Sequence, residues 1–551
     1  MTWTTNRCDA LIAFALALIT LAALLIGEHS IGFMRDEGVY FEAGRRYAAW
    51  FADDLLAFDG TTPFSDEVIR CRFEFNREHP ALMKSLFGLS ERLFTQKLGL
   101  MREATGFRLP AILFSALLSA LLFLLGRHVT TRRAALFAVL GFWLVPRTFF
   151  HGALACFDMP IACAWLLTVV CYRHAITART ACSILGVGLA FGLALSIKHN
   201  AWIIPGVLLI HWALTEIPKR RCRDLPRTLL PFASMLLIGP LTLLATWPFL
   251  WHHPIDRFLW YARFHTRHIN YPWEFLGQLL VEAPFPPGYA LVLTGLTVPI
   301  ALLALMLTGS IHEVARFAAT YAIDPIRRRF GKPPLLAEPL DSDSLLLLGN
   351  GFASLFVFSM PFVPIFGGVK HWLPAMPFLC LFAARALERL SSRLEACAPS
   401  KMRRAIFPAL TTLVLLPALI GLIRIHPYGT SFYNELAGGP AGGASLGMHR
   451  QYWSNNVTGV FEWLNANAPQ GARVYLHEVT LAAFQAYQKN EMLRGDLKYT
   501  SSIGNSLIAA YQYMPEFRDI EFQIWNSYGT QTPVTGLYLD ETPQIVVYWR
   551  P

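Results

Sequence analysis

Two adjacent carboxylates, Asp36 and Glu37, stand in "GFMRDEGVYFEAGRRYAAWF" (32–51), close behind the uncharged run "LIAFALALITLAALLIG" (11–27). A carboxylate within hydrogen-bond reach of a hydroxyl can take its proton. A third acid, Asp158, lies in "GALACFDMPIACAWLL" (152–167). Cations occur at comparable points. Lys84 follows Glu78-His79 in "NREHPALMK", Lys198-His199 lie in "LALSIKHNAWIIP", and Lys370-His371 lie in "GGVKHWLPAMPFL". Fixed cations stabilise negative charge that develops on a departing group. Ionisable residues near the edge of apolar helices are costly and usually serve a site. Each also has a plainer reading. Asp36 could cap a helix, Asp158 could cap a broken helix before Pro160, and Lys198 and Lys370 could snorkel to lipid headgroups. The case for a shared site is that all of them fall on one rim of the topology read next.

The chain of 551 residues is 54% hydrophobic and 15% charged, too little charge for a soluble protein of this length. Runs long enough to cross a bilayer recur near 11–27, 107–126, 134–150, 151–172, 180–197, 201–216, 228–250, 289–309, 345–366, 371–390 and 406–424. They predict a polytopic α-helical membrane protein with about 11 transmembrane helices. The first run reads as an anchor, because Asp9 offsets Arg7 and no small-residue cleavage site follows. The loops 127–133, 173–179, 217–227, 310–344 and 391–405 are rich in Lys and Arg, which assigns them and the N-terminus to the cytoplasm. The formal charge of +10 is thereby explained by topology and does not call for nucleic acid as a partner.

Three large segments then lie outside: 28–106, 251–288 and 425–551. Of the nine cysteines only Cys71 is outside, so the tail must hold together without disulfides. "TGVFEWLNANA" (458–468) and "LAAFQAYQKNEML" (481–493) read as helices, and "ARVYLHEV" (472–479) and "QIVVYWR" (544–550) as strands. A small α/β domain over 425–551 follows, behind a membrane domain over 1–424. The glycine-rich "GGPAGGASLG" (438–447) reads as a flexible loop rather than a phosphate loop. In the first outer loop, Val39, Ala43, Tyr47 and Trp50 recur at helical spacing. After Pro80, Leu82, Leu86, Leu89 and Leu93 form a second stripe. Both segments read as amphipathic helices in the membrane surface.

The ordered set "RDEGVYFEAGRR", "EHPALMK", "FRLPAILFSALLSALLFLLGR", "FDMPIACAWLL", "GLALSIKHNAWIIP" and "KHWLPAMPFL" resembles the GT-C glycosyltransferases of the protein O-mannosyltransferase and lipid A aminoarabinose transferase superfamily. The tail segments "IHPYGTSFYNELAGGPAGGASLG" and "QYWSNN" are similar to its bacterial members. His371 stands where an aromatic Tyr is common, and no signature of the MIR domains of eukaryotic members is present, so the resemblance speaks to the chemistry and leaves the acceptor open. It implies the GT-C fold and an inverting enzyme of the plasma (inner) membrane. Such an enzyme moves a sugar from a polyprenyl-phosphate carrier to an extracytoplasmic protein, lipid or glycan. In that reading Asp36 is the base, with Glu37 and Asp158 orienting it or the acceptor. Lys84, Lys198 and Lys370 hold the donor phosphate, helped by His79, His199 and His371. The resemblance fixes no cofactor. A divalent metal is possible, since aminoarabinose-group relatives can carry zinc, with Glu78, His79, His265 and His268 as candidate ligands. A transporter or flippase for a lipid-linked sugar would use similar charges, but would be expected to show repeated halves with mid-span sites; no internal repeat is seen.

Overall fold

The computed structural model describes residues 6–56, 62–218, 225–336, 339–514 and 519–550. Helix α1 (Arg7–Gly27) leads into the first loop, with α2 (Arg35–Ala49), α3 (Asp66–Phe73) and α4 (Ala81–Ser90). There follow α5 (Glu103–Val129), α6 (Arg132–Trp143), α7 (Pro146–Gly152), α8 (Asp158–Ala178), α9 (Ala181–Leu195), α10 (Ile204–Glu216), the short α11 (Leu225–Thr228) and α12 (Leu230–Thr246). The second loop holds α13 (Pro254–Thr266) and the hairpin β1 (Trp273–Phe275)–β2 (Gln278–Leu280). Then come α14 (Tyr289–Thr297), α15 (Ile300–Ala318), α16 (Asp324–Arg329), α17 (Ser342–Val357), α18 (Met376–Cys397) and α19 (Ser400–Ile425). The tail contains α20 (Gly439–Ser445), α21 (Phe461–Asn467), β3 (Arg473–Leu476), α22 (Leu481–Lys489), β4 (Lys498–Tyr499), β5 (Ile508–Gln512), α23 (Ile520–Tyr528), β6 (Thr535–Leu539) and β7 (Thr542–Trp549).

The apolar runs read from the sequence all carry helix, but not end to end: 153–157 and 358–366, inside two of those runs, are turns and irregular chain. By length and composition, five of the described helices could cross a membrane, or six if α6 and α7, bent by 78°, form one span. α9, α12 and α17 are apolar but shorter. The bend has a local cause: Pro146 opens α7 and cannot continue the hydrogen-bond ladder of α6. Bend and loop together bring the chain round so that α8 begins at Asp158 itself. Part of the expected basic loop 217–227, residues 219–224, lies outside the described residues.

The first loop differs from expectation in two ways. α3, capped by the Ser65 hydroxyl, stands between the two expected helices. On α4 the buried face is Ala81, Met83, Lys84 and Phe87, whereas Leu82, Leu86 and Leu89 are only half-buried. Leu82 and Leu86 pack at the edge of the core, because α4 turns its smaller and more polar face onto α2. The two helices touch at Gly44 and Gly88, where a Cβ on Gly88 would overlap the Gly44 carbonyl.

The tail sheet has the order β4–β3–β5–β7–β6, with β3 parallel to β4 and β5, and β7 antiparallel to β5 and β6. The glycine-rich segment expected as a flexible loop instead includes α20. The tail core is continuous with that of the membrane helices: buried Val474, Ile508 and Val547 belong to the same cluster as Leu24, Phe107 and Phe157. It docks directly on the start of α2. Arg35 pairs with Glu478 at 2.9 Å, the Tyr487 hydroxyl donates to the Phe33 carbonyl at 3.0 Å, and Gly32 lies so close to the Asn455 carbonyl that any Cβ would overlap it.

Candidate active site

The two adjacent acids part company on α2. Successive helical residues point about 100° apart. Glu37 turns inward and is completely buried, while Asp36 is half-buried. The Glu37 carboxylate accepts from Arg108 Nε and Nη2, both at 2.9 Å, from the Met34 amide at 3.1 Å and from the Ala155 amide at 2.9 Å. Its bond to Met34 closes the first turn of α2, so the capping considered for Asp36 is done by Glu37. Among the described residues, the Asp36 carboxylate makes no hydrogen bond or ion pair. It acts electrostatically on the buried Tyr40 and Lys370.

Arg108 is the hub that positions this region. It is 1% exposed. Besides Glu37 it binds the Glu28 carboxylate at 3.0 Å and the carbonyls of Glu28, Ile31 and Gly32 at 2.9, 3.1 and 3.2 Å. The turn leaving α1 is thereby wrapped around one guanidinium. Arg108 stood in the quoted "FRLPAIL", and a cation inside an apolar run is itself a signal; Glu28, at the end of α1, was its available partner.

Asp158 and Lys198 meet. Lys198 Nζ donates to Asp158 Oδ1 at 2.6 Å, and both side chains are buried. The other carboxylate oxygen accepts from the Cys156 thiol at 3.0 Å and lies 3.9 Å from His151 Nδ1. Lys370 is buried, with its Nζ over the rings of Trp453 (4.5 Å) and Phe366 (5.2 Å). Burial pulls its pKa down, and the charges of Asp158 and Asp36 oppose that pull. Asp36, Asp158, Lys198 and Lys370 thus form one electrostatic neighbourhood. Trp453, from the connector between α19 and the tail sheet, helps close it.

Lys84 is held elsewhere. Its ammonium donates to the Asn76 carbonyl, to the His79 carbonyl at 2.9 Å and to Asn76 Oδ1 at 3.3 Å, above the Tyr47 ring. All three protons are directed at the turn before α4, and burial lowers the pKa to about 7. His371 also faces its own chain. Its Nε2 binds the Phe366 carbonyl at 2.8 Å, and its ring stacks on Phe358.

His79, His199 and His265 converge, with ligand atoms all within 4.8 Å of one another. His199 and His265 stack at 3.9 Å. Nδ1 of His79 and of His199 are buried without a hydrogen-bond partner. Desolvation brings His265 down to about 4 and holds His79 and His199 well below their usual range, so all three are neutral at pH 7. Zn–N bonds of about 2.0–2.1 Å need nitrogens about 3.4 Å apart, a modest closure of this cluster. Unpartnered neutral imidazole nitrogens suit a borderline-soft divalent ion. Of the expected ligands, His79 and His265 are in the cluster. Glu78 instead takes a hydrogen bond from Asn76 at 2.5 Å, and His268 binds the Ile269 carbonyl at 2.7 Å. His199, expected as a phosphate helper, joins the cluster through the fold of its 3-10 turn.

Comparison with known proteins adds the following. Residues 79–249 match the family described as "Dolichyl-phosphate-mannose-protein mannosyltransferase", a segment that contains Lys84, Asp158, Lys198 and His199 but not Asp36 or Lys370. By sequence, no curated protein matches the chain. Among solved structures, ArnT from Cupriavidus metallidurans in the apo state has a TM-score of 0.51 at 13% identity, over 98% of this chain and 97% of that one. The same protein bound to undecaprenyl phosphate gives 0.48 at 14% identity, over 98% of each chain. The Archaeoglobus fulgidus oligosaccharyltransferase in the apo form gives 0.49 at 13%, over 96% of this chain and 72% of that one. The likeness to apo ArnT establishes the fold: a GT-C-type helical membrane architecture with strands at the C-terminus.

Proposed function

We propose that this protein is an inverting glycosyltransferase of the plasma (inner) membrane. It moves a sugar from a polyprenyl monophosphate to a hydroxyl of an extracytoplasmic protein, lipid or glycan. The observation that carries the reading is Asp36. It is a carboxylate left unpaired at the start of a rigidly held helix, in the same electrostatic neighbourhood as Lys370 and the Lys198–Asp158 pair. The family description over 79–249 supports a polyprenyl-phosphate sugar as donor. The basic loops support a cytoplasmic N-terminus and an outer tail.

The chemistry follows from these groups. The acceptor oxygen attacks the anomeric carbon from the face opposite the phosphate. The new C–O bond forms as the sugar–phosphate bond breaks, which inverts the centre. Asp36 takes the acceptor proton. The released polyprenyl phosphate gains negative charge, which Lys370 and Lys198 stabilise. Asp158 holds Lys198 in place, and Glu37 and Arg108 hold the start of α2 and the 153–157 loop. Lys84 positions the turn before α4 rather than touching phosphate. His79, His199 and His265 would hold a divalent ion, which when bound supplies a fixed positive charge beside the phosphate-binding lysines. The tail, docked on α2, helps choose the acceptor.

The test is transfer of radiolabelled sugar from polyprenyl phosphate by the purified protein in nanodiscs to a membrane extract of acceptors. Label on an acceptor supports the reading. Label that crosses the bilayer on its lipid without transfer favours the flippase and refutes it.

A further inference from the structure

Among the described residues, one cation near this site pairs with no carboxylate. Arg147, on α7, is 1% exposed. Its Nε donates to the Phe432 carbonyl at 3.2 Å, while among the described residues Nη1 and Nη2 meet no group in hydrogen-bond geometry; the polar groups beside the guanidinium are the Tyr433 and Tyr452 hydroxyls. The guanidinium lies against the rings of Tyr433 (4.9 Å) and Tyr452 (5.7 Å). Around it the buried Tyr289 hydroxyl and Trp273 indole N–H lie beside each other, and among the described residues neither reaches hydrogen-bond geometry with any group. Cation–π contact offsets only part of the cost of burying a guanidinium whose outer N–H groups are unmet. An arrangement this expensive calls for an acceptor.

The chemistry of that acceptor is narrow. A guanidinium offers parallel N–H groups that fit two oxygens of a carboxylate or phosphate. The walls are the faces of Tyr433, Tyr452 and Trp273, which suit the C–H face of a sugar ring, and the hydroxyl and indole N–H suit its oxygens. The site is distinct from the lysines assigned to the carrier phosphate. His151 stands between the two, with Nε2 3.2 Å from the Tyr452 hydroxyl and Nδ1 3.9 Å from Asp158.

We propose that Arg147 anchors a second, buried subsite for a sugar bearing an oxyanion, either a carboxylate or a phosphate ester. Its cover is the β1–β2 hairpin and the connector after α19, fastened to each other where the Gly277 amide donates to the Gly447 carbonyl at 3.0 Å. Access is by displacement of that cover. That the anion belongs to a sugar rests on the transferase reading. Binding is measured without turnover, so a failure here is separable from a failure of transfer.

The experiment titrates the full-length protein in nanodiscs with sodium glucuronate, glucose 6-phosphate, glucose and inorganic phosphate. At least one sugar anion should bind at least tenfold more tightly than glucose. The preferred anion tells carboxylate from phosphate ester. Arg147→Met should abolish that difference and leave the weak binding of glucose unchanged. Without any probe it should melt no lower than the wild type, because it removes a buried charge whose cost the two aromatic faces offset only in part. Arg147→Lys, which keeps a cation but not the fork, should lose most of the preference too. The proposal is overturned if neither sugar anion outbinds glucose, or if Arg147→Met binds both as the wild type does. It is also overturned if inorganic phosphate binds as tightly as the sugar anions, or if Arg147→Met melts far below the wild type, which would mark a purely structural cation.

Discussion

Replacing Glu37 by Gln changes one oxygen to an amide and leaves the size unchanged. Each carboxylate oxygen accepts twice: Oε1 from Arg108 Nε and Ala155 N, Oε2 from Arg108 Nη2 and Met34 N. Whichever way the amide is turned, its NH2 faces two donors. One charge-assisted bond is lost, about 1.5–3 kcal/mol, and one buried backbone N–H is left unmet, about 1–3 kcal/mol. The independent figure for breaking a buried ion pair is about 3–5 kcal/mol. The expected loss is therefore about 3–5 kcal/mol, reduced to the extent that Glu28 still balances Arg108. Transfer should fall with stability, since the same carboxylate fastens the start of α2 and the loop before Asp158. The assay is a fluorescence-monitored melt in nanodiscs beside sugar transfer, with Arg108→Met as the partner variant. The apparent midpoint should drop by several degrees in both. A wild-type melt for Glu37→Gln would refute the clamp. A wild-type melt with transfer abolished would return Glu37 to the chemistry.

Asp36→Asn should behave in the opposite way, with a normal melt and transfer reduced about 10²–10⁴-fold; full turnover in this variant would overturn the assignment of the base. Lys198→Met should weaken donor binding or rate by about 1.5–3 kcal/mol and leave Asp158 as an unbalanced buried acid; unchanged kinetics in a folded protein would reduce that lysine to a structural partner of Asp158. Lys84→Met should lower stability while sparing donor affinity in the protein that folds, and a selective loss of donor binding would restore its contact with phosphate. Lys84 also gives a pH signature. Its folded pKa of about 7 lies below the unfolded value of about 10.4, so the unfolded chain binds more protons between them. Stability should rise with pH above 7, by up to about 1.4 kcal/mol per unit, and the rise should vanish in Lys84→Met. Zinc measured by mass spectrometry after purification and reloading should track His79, His199 and His265 together, and retention of metal by the triple Ala variant would remove the cluster as a site.

The sequence by itself determined the framework. Runs such as 11–27 and 107–126 are helical in a bilayer, because a continuous apolar stretch of that length can satisfy its backbone hydrogen bonds within itself only as a helix. Helices α1 and α5 fill those two runs, and the strands expected over 472–479 and 544–550 appear as β3 and β7. The polar segments around Asp36, Asp158, Lys198 and Lys370 were legible because charge beside apolar helix is expensive. What those charges do was decided by tertiary structure. Asp36 and Glu37 are neighbours in the chain, but the helix turns one toward the site and the other into a clamp with Arg108, 71 residues away. The pairing of Asp158 with Lys198 spans 40 residues and depends on how α8 and the turn after α9 are set side by side. Lys84 has the same residue type and rim position as Lys198, yet the turn at Asn76 captures it. His199 was grouped with its neighbour Lys198, but packing delivers it to His79 and His265, from two other loops. Periodicity is a local property, so it survives in one dimension. The partner of a buried charge is set by which distant segment closes over it, and only the folded chain makes that choice.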